Sequence, residues 1–417
     1  MADTTTITMT GTLPRPQPIG VFPLPAGYLL IDADPAHDDA RLALAAGRRP
    51  DSFPPSLRYY ELALDGDLDA AFEAIHGDGV VSRANRLVFD PTRDAYDDLL
   101  ADPGVDVALR SHLEMVAFVV GLRLDPPDAH GVDGEFAAMA HAARATLALE
   151  RHDTGLAAEE LEAAAQAANA VSRPLAGQLM GQLANVQLDE GGTKRAATTF
   201  QAAIDALEGS ELFVSRAELH VAAGAMFQEM SEAAPRLMQQ AINHYHQALA
   251  LVNATTAPET FAIASANLGL AYITIPMSEA SDQLRVGVAI QSMREALEYF
   301  TPETHPDRWS STQLNLANAL VYLPSKHQAD NIAEAVGLYE GVLQHRDRHT
   351  NPLGRARVLA NQGNALAHLG VFDDAKAKLH EARAIFEEFE DDDAVRSVRS
   401  VLDEIAKQES TRRQDRA

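Results

Sequence analysis

Gln313–Leu320 reads Q-L-N-L-A-N-A-L, and after a loop Ala335–Leu343 reads A-V-G-L-Y-E-G-V-L. In both stretches small and apolar residues recur three and four positions apart, the spacing of one helix face. Ala335, Tyr339, Val342 and Leu343 make that face in the second stretch. Two such helices joined by a short loop form a hairpin that cannot bury its apolar face alone, so it needs stacked neighbours.

The neighbours are in the chain. The pattern Ala-x3-apolar-x2-small occurs at Ala157/Leu161/Ala164, Ala196/Phe200/Ala203 and Ala241/Tyr245/Ala248. It recurs at Ala289/Met293/Ala296, Ala335/Tyr339/Val342 and Ala375/Leu379/Ala382. Each presumed first helix carries a small residue, at Ala184, Gly224, Gly269, Ala317 and Gly363. From each small residue to the next second-helix Ala the distances are 12, 17, 20, 18 and 12. From that Ala to the following small residue the distance is 28 each time (196→224, 241→269, 289→317, 335→363). The constant part must be rigid helix and turn. The variable part must be a loop at one edge, where insertions are tolerated.

These residues resemble the tetratricopeptide repeat (TPR) family, whose first helix reads N-L-G-N-A and whose second reads A-x3-Y-x2-A-L. Asn315-Leu316-Ala317-Asn318-Ala319 and Asn361-Gln362-Gly363-Asn364-Ala365 follow the first pattern. Asn267-Leu268-Gly269 follows it in part, and Gln182-Leu183-Ala184-Asn185 more weakly. The last repeat keeps the family's turn, Leu369-Gly370-x-Phe372-x-x-Ala375. The departure is length. The family period is about 34; here it is 40 and reaches 48 where the loop is longest. Longer helices, as in light-chain-like variants, would account for that.

The resemblance implies an all-α superhelical array of antiparallel helical hairpins, preceded by a short irregular segment. It covers roughly residues 135–390. The expected organisation is an irregular Pro/Asp-rich segment over 1–54 and a helical N-terminal domain of decayed repeats over 55–130. An array of about six hairpins over 131–390, a capping helix over 391–409 and a disordered tail over 410–417 follow. Eight of the 21 prolines fall within residues 1–54. Prolines at 14, 16, 18, 23 and 25 point to an irregular or polyproline stretch, with a strand pair of Val21-Phe22 and Tyr28–Ile31 as the alternative. Further helices are expected over Asp38–Ala46, Ser56–Leu64, Leu68–Ile75, Asp94–Leu100 and Val105–Leu122. Leu68, Ala71, Phe72 and Ile75 should share one face. Pro174, Pro235, Pro306 and Pro352 fall at or just before helix starts, where a missing N–H costs nothing. Asp373 and Asp374 are expected to supply caps and favourable charge at the start of the last hairpin's second helix.

Composition narrows the function. The chain has 34 Lys+Arg against 60 Asp+Glu, a net charge of −26. Such a field repels phosphate backbones and argues against nucleic acid as partner. Cysteine is absent, which excludes disulfides, thiolate metal sites and a Cys nucleophile. The longest apolar run, near Met115–Val120, is far too short to span a bilayer. With no basic-then-apolar start at Met1-Ala2-Asp3-Thr4, the chain reads as cytoplasmic and free of a membrane anchor.

No catalytic constellation emerges, and neither a cofactor nor a metal is expected. Asp32, Asp34, His37, Asp38 and Asp39 form the densest ligand-like cluster, but they lack the Gly and Glu of a calcium loop. This cluster locates the rival reading, a metal-dependent enzyme or sensor with its site in residues 20–60. His345 and His349 have one-turn spacing, but Arg346 stands where a zinc protease needs Glu. Gly191-Gly192-Thr193-Lys194 resembles a phosphate loop only briefly and sits in a hairpin turn.

The resemblance implies a concave groove that binds a protein or peptide, in an adaptor, regulator or assembly factor. In this family the residue after the small position faces the groove: here Asn185, Ala225, Leu270, Asn318 and Asn364. Amides donate and accept, so Asn185, Asn318 and Asn364, with Asn267, Asn315 and Asn361 two positions before the small residue, are the candidate partner-binding residues. The alternative role is bracing between helices. The lysine that some family members place four residues before the first groove Asn is replaced by Gly181, Leu314 and Ala360. A third reading is self-association through array ends and Ala-rich faces.

Overall fold

The computed structural model describes residues 15–276, 282–323, 325–345 and 350–414. Among these residues there are nineteen α-helices, three short 3-10 turns and one two-stranded ribbon, so the fold is all-α. The chain divides into two compact units, residues 1–226 and 227–417.

The first unit begins with strand β1 (Gln17–Pro18), antiparallel to β2 (Leu30–Ile31). Six helices follow: α1 (Asp38–Ala45), α2 (Arg58–Leu64), α3 (Leu68–Glu73), α4 (Val80–Phe89), α5 (Arg93–Leu100) and α6 (Val107–Val119). Then come the hairpin α7 (Gly134–Glu150)/α8 (Thr154–Asn169), the hairpin α9 (Arg173–Asp189)/α10 (Thr193–Ala206), and α11 (Phe213–Met230), which runs across the unit boundary. The second unit contains α12 (Leu237–Leu251) and three hairpins: α13 (Pro258–Thr274)/α14 (Asp282–Tyr299), α15 (Pro306–Tyr322)/α16 (Gln328–His345) and α17 (Pro352–His368)/α18 (Phe372–Glu388). It ends with α19 (Asp392–Gln414).

The repeat pattern is the packing pattern. Every residue of the six second-helix motifs, from Ala157/Leu161/Ala164 to Ala375/Leu379/Ala382, is no more than 1% exposed. The small residue of the first helix lies against that motif. A Cβ added at Gly269 would come within 2.7 Å of Met293 and 3.0 Å of the Ala289 carbonyl. One at Gly363 would come within 2.7 Å of Leu379. Close approach of the helix backbones therefore requires glycine or alanine at the crossing. The 28-residue interval links a second-helix Ala, a tight inter-hairpin turn and the next first helix. Pro258, Pro306 and Pro352 occupy the first position of α13, α15 and α17, each eleven residues before the small position. Pro258, absent from the sequence reading, thus has the same role as the other two. The variable segments (231–236, 275–281, 323–327) all join the end of a first helix to the start of a second.

The N-terminal segment differs from the irregular stretch expected over 1–54. Its strand pair exists, but its first strand is Gln17–Pro18 and not Val21-Phe22. Pro18 is tolerated because the ribbon has only two strands, so its missing N–H removes no internal ladder bond. Leu29, Leu30 and Ile31 are 0% exposed, and one apolar core runs from Ile19 to Val186. Asn85 of α4, a helix the sequence reading did not single out, pins Leu30: its Oδ1 accepts from the Leu30 N–H at 2.7 Å and its Nδ2 donates to the Leu30 carbonyl at 2.9 Å.

Two smaller corrections follow. Asp373 and Asp374 do not cap α18, whose N-cap is Val371; they place negative charge in its first turn. The helix after 390 runs to Gln414, beyond the expected end at 409, because Arg412 stacks 4.6 Å from the Phe372 ring centre and Glu409 pairs with Lys376 at 2.8 Å. On the face expected over Leu68–Ile75, Ala71 and Ile75 are buried, whereas Leu68 and Phe72 are 45% and 37% exposed.

Candidate partner-binding groove

In the second unit the first helices α13, α15 and α17 touch one after another, and α19 follows α17 in the same series. Each first helix turns its small residue toward its own second helix. The positions six and two before it, and one and five after it, lie together on one face by helical periodicity. On α13 these are Ile263, Asn267, Leu270 and Thr274; on α15, Ser311, Asn315, Asn318 and Tyr322; on α17, Arg357, Asn361, Asn364 and His368. All twelve are half-buried or exposed. The result is a face that carries amides on all three helices and the Arg357 guanidinium on α17.

The expected amides do not share one role. Asn318 Oδ1 accepts from the Tyr339 hydroxyl at 2.7 Å and from Asn361 Nδ2 at 3.1 Å. Burial pushes the Tyr339 hydroxyl well above its ordinary range, so it stays protonated and donates. Asn318 and Asn361 therefore join three helices, α15, α16 and α17. The equivalent tyrosine two hairpins earlier, Tyr245, donates to Gln228 at 2.8 Å. Asn364 instead opens into a cleft of about 770 Å³ between α17 and α19, with His368, Arg396, Arg399, Ser400 and Lys407 among its walls. Asn267 and Asn315 are half-buried on the same face. Tyr322, 61% exposed, also lies on this face and was not a sequence candidate; its position five after the small residue is the signal that finds it.

Asp403 explains how the array ends. It lies 28 residues after Ala375, where each earlier repeat has a small residue, yet it is exposed. Among the described residues no second helix lies against it, so no small side chain is required there.

In the first unit the corresponding face is occupied by the chain itself. Gln178 of α9, six before Ala184, donates to the Val21 carbonyl at 3.1 Å. A Cβ at Gly20 would meet Met139 of α7 at 3.3 Å and Leu175 of α9 at 3.4 Å. Arg15 pairs with Asp133, lies 3.7 Å from the Glu135 carboxylate and stacks over the Phe136 ring. Residues 15–21 thus pass across α7 and α9 as β1 and the turn after it, held by a charged end, a backbone carbonyl and the close approach at Gly20. Asn185, farther along α9, is exposed.

The acidic cluster of the rival reading disperses. Asp34 accepts from the Ala36 N–H at 2.9 Å, His37 Nε2 shares a hydrogen with Ser56 Oγ at 2.7 Å, and Asp38 lies 3.4 Å from Arg41. Among the described residues no three His, Asp or Glu side chains are placed to hold a metal ion. His345 bonds the Gly341 carbonyl at 2.9 Å and packs on Trp309; His349 lies outside the described residues. Gly191, with φ +77°, makes the α9–α10 turn. No helix among the described residues is long and apolar enough to cross a membrane.

No family model matches the chain, and no curated protein matches it. Similar solved structures are helical-repeat proteins. RapI in its apo form is 12% identical over 86% of this chain and 98% of its own, with a TM-score of 0.47. BtubC from P. vanneervenii is 19% identical over 58% and 92%, at 0.42. The C-terminal part of a TPR repeat-containing protein from Cytophaga hutchinsonii is 14% identical over 79% and 95%, at 0.40. The hairpins, crossings and second-helix motifs described above define the class: a TPR-like helical-repeat protein.

Proposed function

We propose that this chain is a non-enzymatic scaffold that holds a segment of a protein partner against the first helices of its second unit. One contrast carries the reading. The face of α7 and α9 is covered by residues 15–21, whereas among the described residues no such segment lies on the corresponding face of α13, α15 and α17. Side-chain amides on such a surface can hold a partner's backbone, as Gln178 donates to the Val21 carbonyl. Asn267, Asn315 and Asn364 are the amides proposed to do so, with Arg357 favouring negative charge at the α17 end. Asn185 is the equivalent position in the first unit. Asn318 and Asn361 shape the face by bracing it.

The test is the full chain with Asn267, Asn315 and Asn364 all changed to Ala. A photo-crosslinker at Tyr322 is used to capture partners from the native source. The triple variant should melt like the parent and lose the crosslinked partner. Unchanged crosslinking, or crosslinking equally strong from a site on the outer face of α16, would overturn the proposal.

A further inference from the structure

The first unit carries a second surface with different chemistry. Leu24, Pro25, Leu68, Phe72, Phe89 and Val120 line a cavity of about 560 Å³ bounded by the 22–25 turn, α3 and the ends of α4 and α6. Its volume is within the range of sites that take several large side chains. Its floor is aromatic: Phe72 and Phe89 meet edge to face with ring centres 6.1 Å apart. Its rim leaves large apolar side chains in water, with Leu24 and Leu68 each 45% exposed and Phe72 37%. Exposed leucines are ordinary when scattered, but a contiguous group around a concavity marks a contact surface.

Charge decides what fits. Asp69 and Asp90 also line the cavity, and both are exposed. Neither forms an ion pair among the described residues, and no basic side chain contributes to the lining. Asp67 and Glu73 add exposed negative charge on the same short helix and its cap. A second copy of this chain would bring a net charge of −26 against that rim. We infer that this cavity docks a partner's amphipathic helical segment, with large apolar residues on one face and Lys or Arg beside them. The apolar face would fill the cavity and the cations would meet Asp69 and Asp90. This surface is separate from the proposed groove on α13–α17, and neither needs the other.

The absence of cysteine provides a clean test. A single cysteine at Leu68 (Leu68→Cys) in the full chain is labelled with an environment-sensitive fluorophore, and a control chain carries the label at Gln201→Cys on α10. The probe is a synthetic helix with Leu at positions i, i+3, i+4 and i+7 and Lys elsewhere. Its counterparts are the same helix with Glu for Lys and a scrambled Leu/Lys peptide. The Lys helix should shift the label at 68 and not at 201. In unlabelled chains followed by peptide anisotropy, Phe72→Glu or the pair Asp69→Lys/Asp90→Lys should weaken it by roughly tenfold or more. Equal binding of the Glu helix or the scrambled peptide would overturn the proposal, as would undiminished affinity in variants that melt like the parent. Concentration-dependent self-association lost in Phe72→Glu would also overturn it, by assigning the surface to a second copy.

Discussion

Asn318 illustrates how one residue type divides between roles that look alike in sequence. Its carbonyl oxygen serves Tyr339 and Asn361, so removing it leaves two donors short of a partner. Asn318→Ala should cost ~1–3 kcal/mol in chemical unfolding, whereas Asn364→Ala should cost less than about 0.5 kcal/mol. A double-mutant cycle of Asn318→Ala with Tyr339→Phe should return a coupling of about 0.5–1.5 kcal/mol, and additivity would refute the bond. A second residue-level effect concerns pH. Burial raises the Glu135 carboxyl from 4.5 to about 7, moderated by Arg15 and Arg41 and reinforced by Asp133. Burial also lowers the His112 imidazole from 6.5 to about 4. Glu135 therefore contributes stability below pH 4.5 that is lost as the pH rises to about 7. His112 contributes stability above pH 6.5 that is lost as the pH falls toward about 4. The opposing slopes conceal each other in the parent. In Glu135→Gln, urea-unfolding stability should rise with pH up to about 6.5 and then level, and in His112→Leu it should fall up to about 7. The two variants sharing one slope would contradict both assignments.

Among the helices, α19 has the clearest stabilising role. Val395, Val398 and Ile405 are 6%, 3% and 2% exposed, and they share a core with Leu379, Ile385 and Phe386 of α18. Each large apolar side chain returned to water costs ~1.5–3 kcal/mol. A chain ending at Glu390 should therefore unfold at lower temperature and aggregate; an unchanged, monodisperse melt would show that α19 covers nothing essential. The positions of α8–α18 were legible in the sequence because one periodicity served twice: it set the helix face and the crossing. α4 was not, since V-V-S-R-A-N-R-L-V-F mixes β-branched, aromatic and charged residues without a repeat to calibrate it. On α3 periodicity identified one face correctly but could not say which half of it meets a neighbour. Leu68 and Phe72 therefore share the apolar face with Ala71 but stand at the surface.

Across the entire chain, a net charge of −26 dominates long-range encounters. Duplex DNA should show no binding at physiological salt in a gel-shift titration, and a salt-sensitive complex there would overturn the partner class. The primary structure by itself determined the hairpins, their order and the residues at each crossing. These depend on local helix geometry and on close approach, and both leave periodic marks in the chain. Only the tertiary structure decided which amides brace and which face solvent, because Asn318 and Asn364 occupy identical repeat positions and differ in what the next helix brings to them. The same holds for residues 15–31. Their fate depends on Asn85, Gln178 and Phe136, contacts between residues far apart in sequence for which no periodic pattern exists. A proline-rich stretch that reads as irregular is thereby drawn into the core of the first unit.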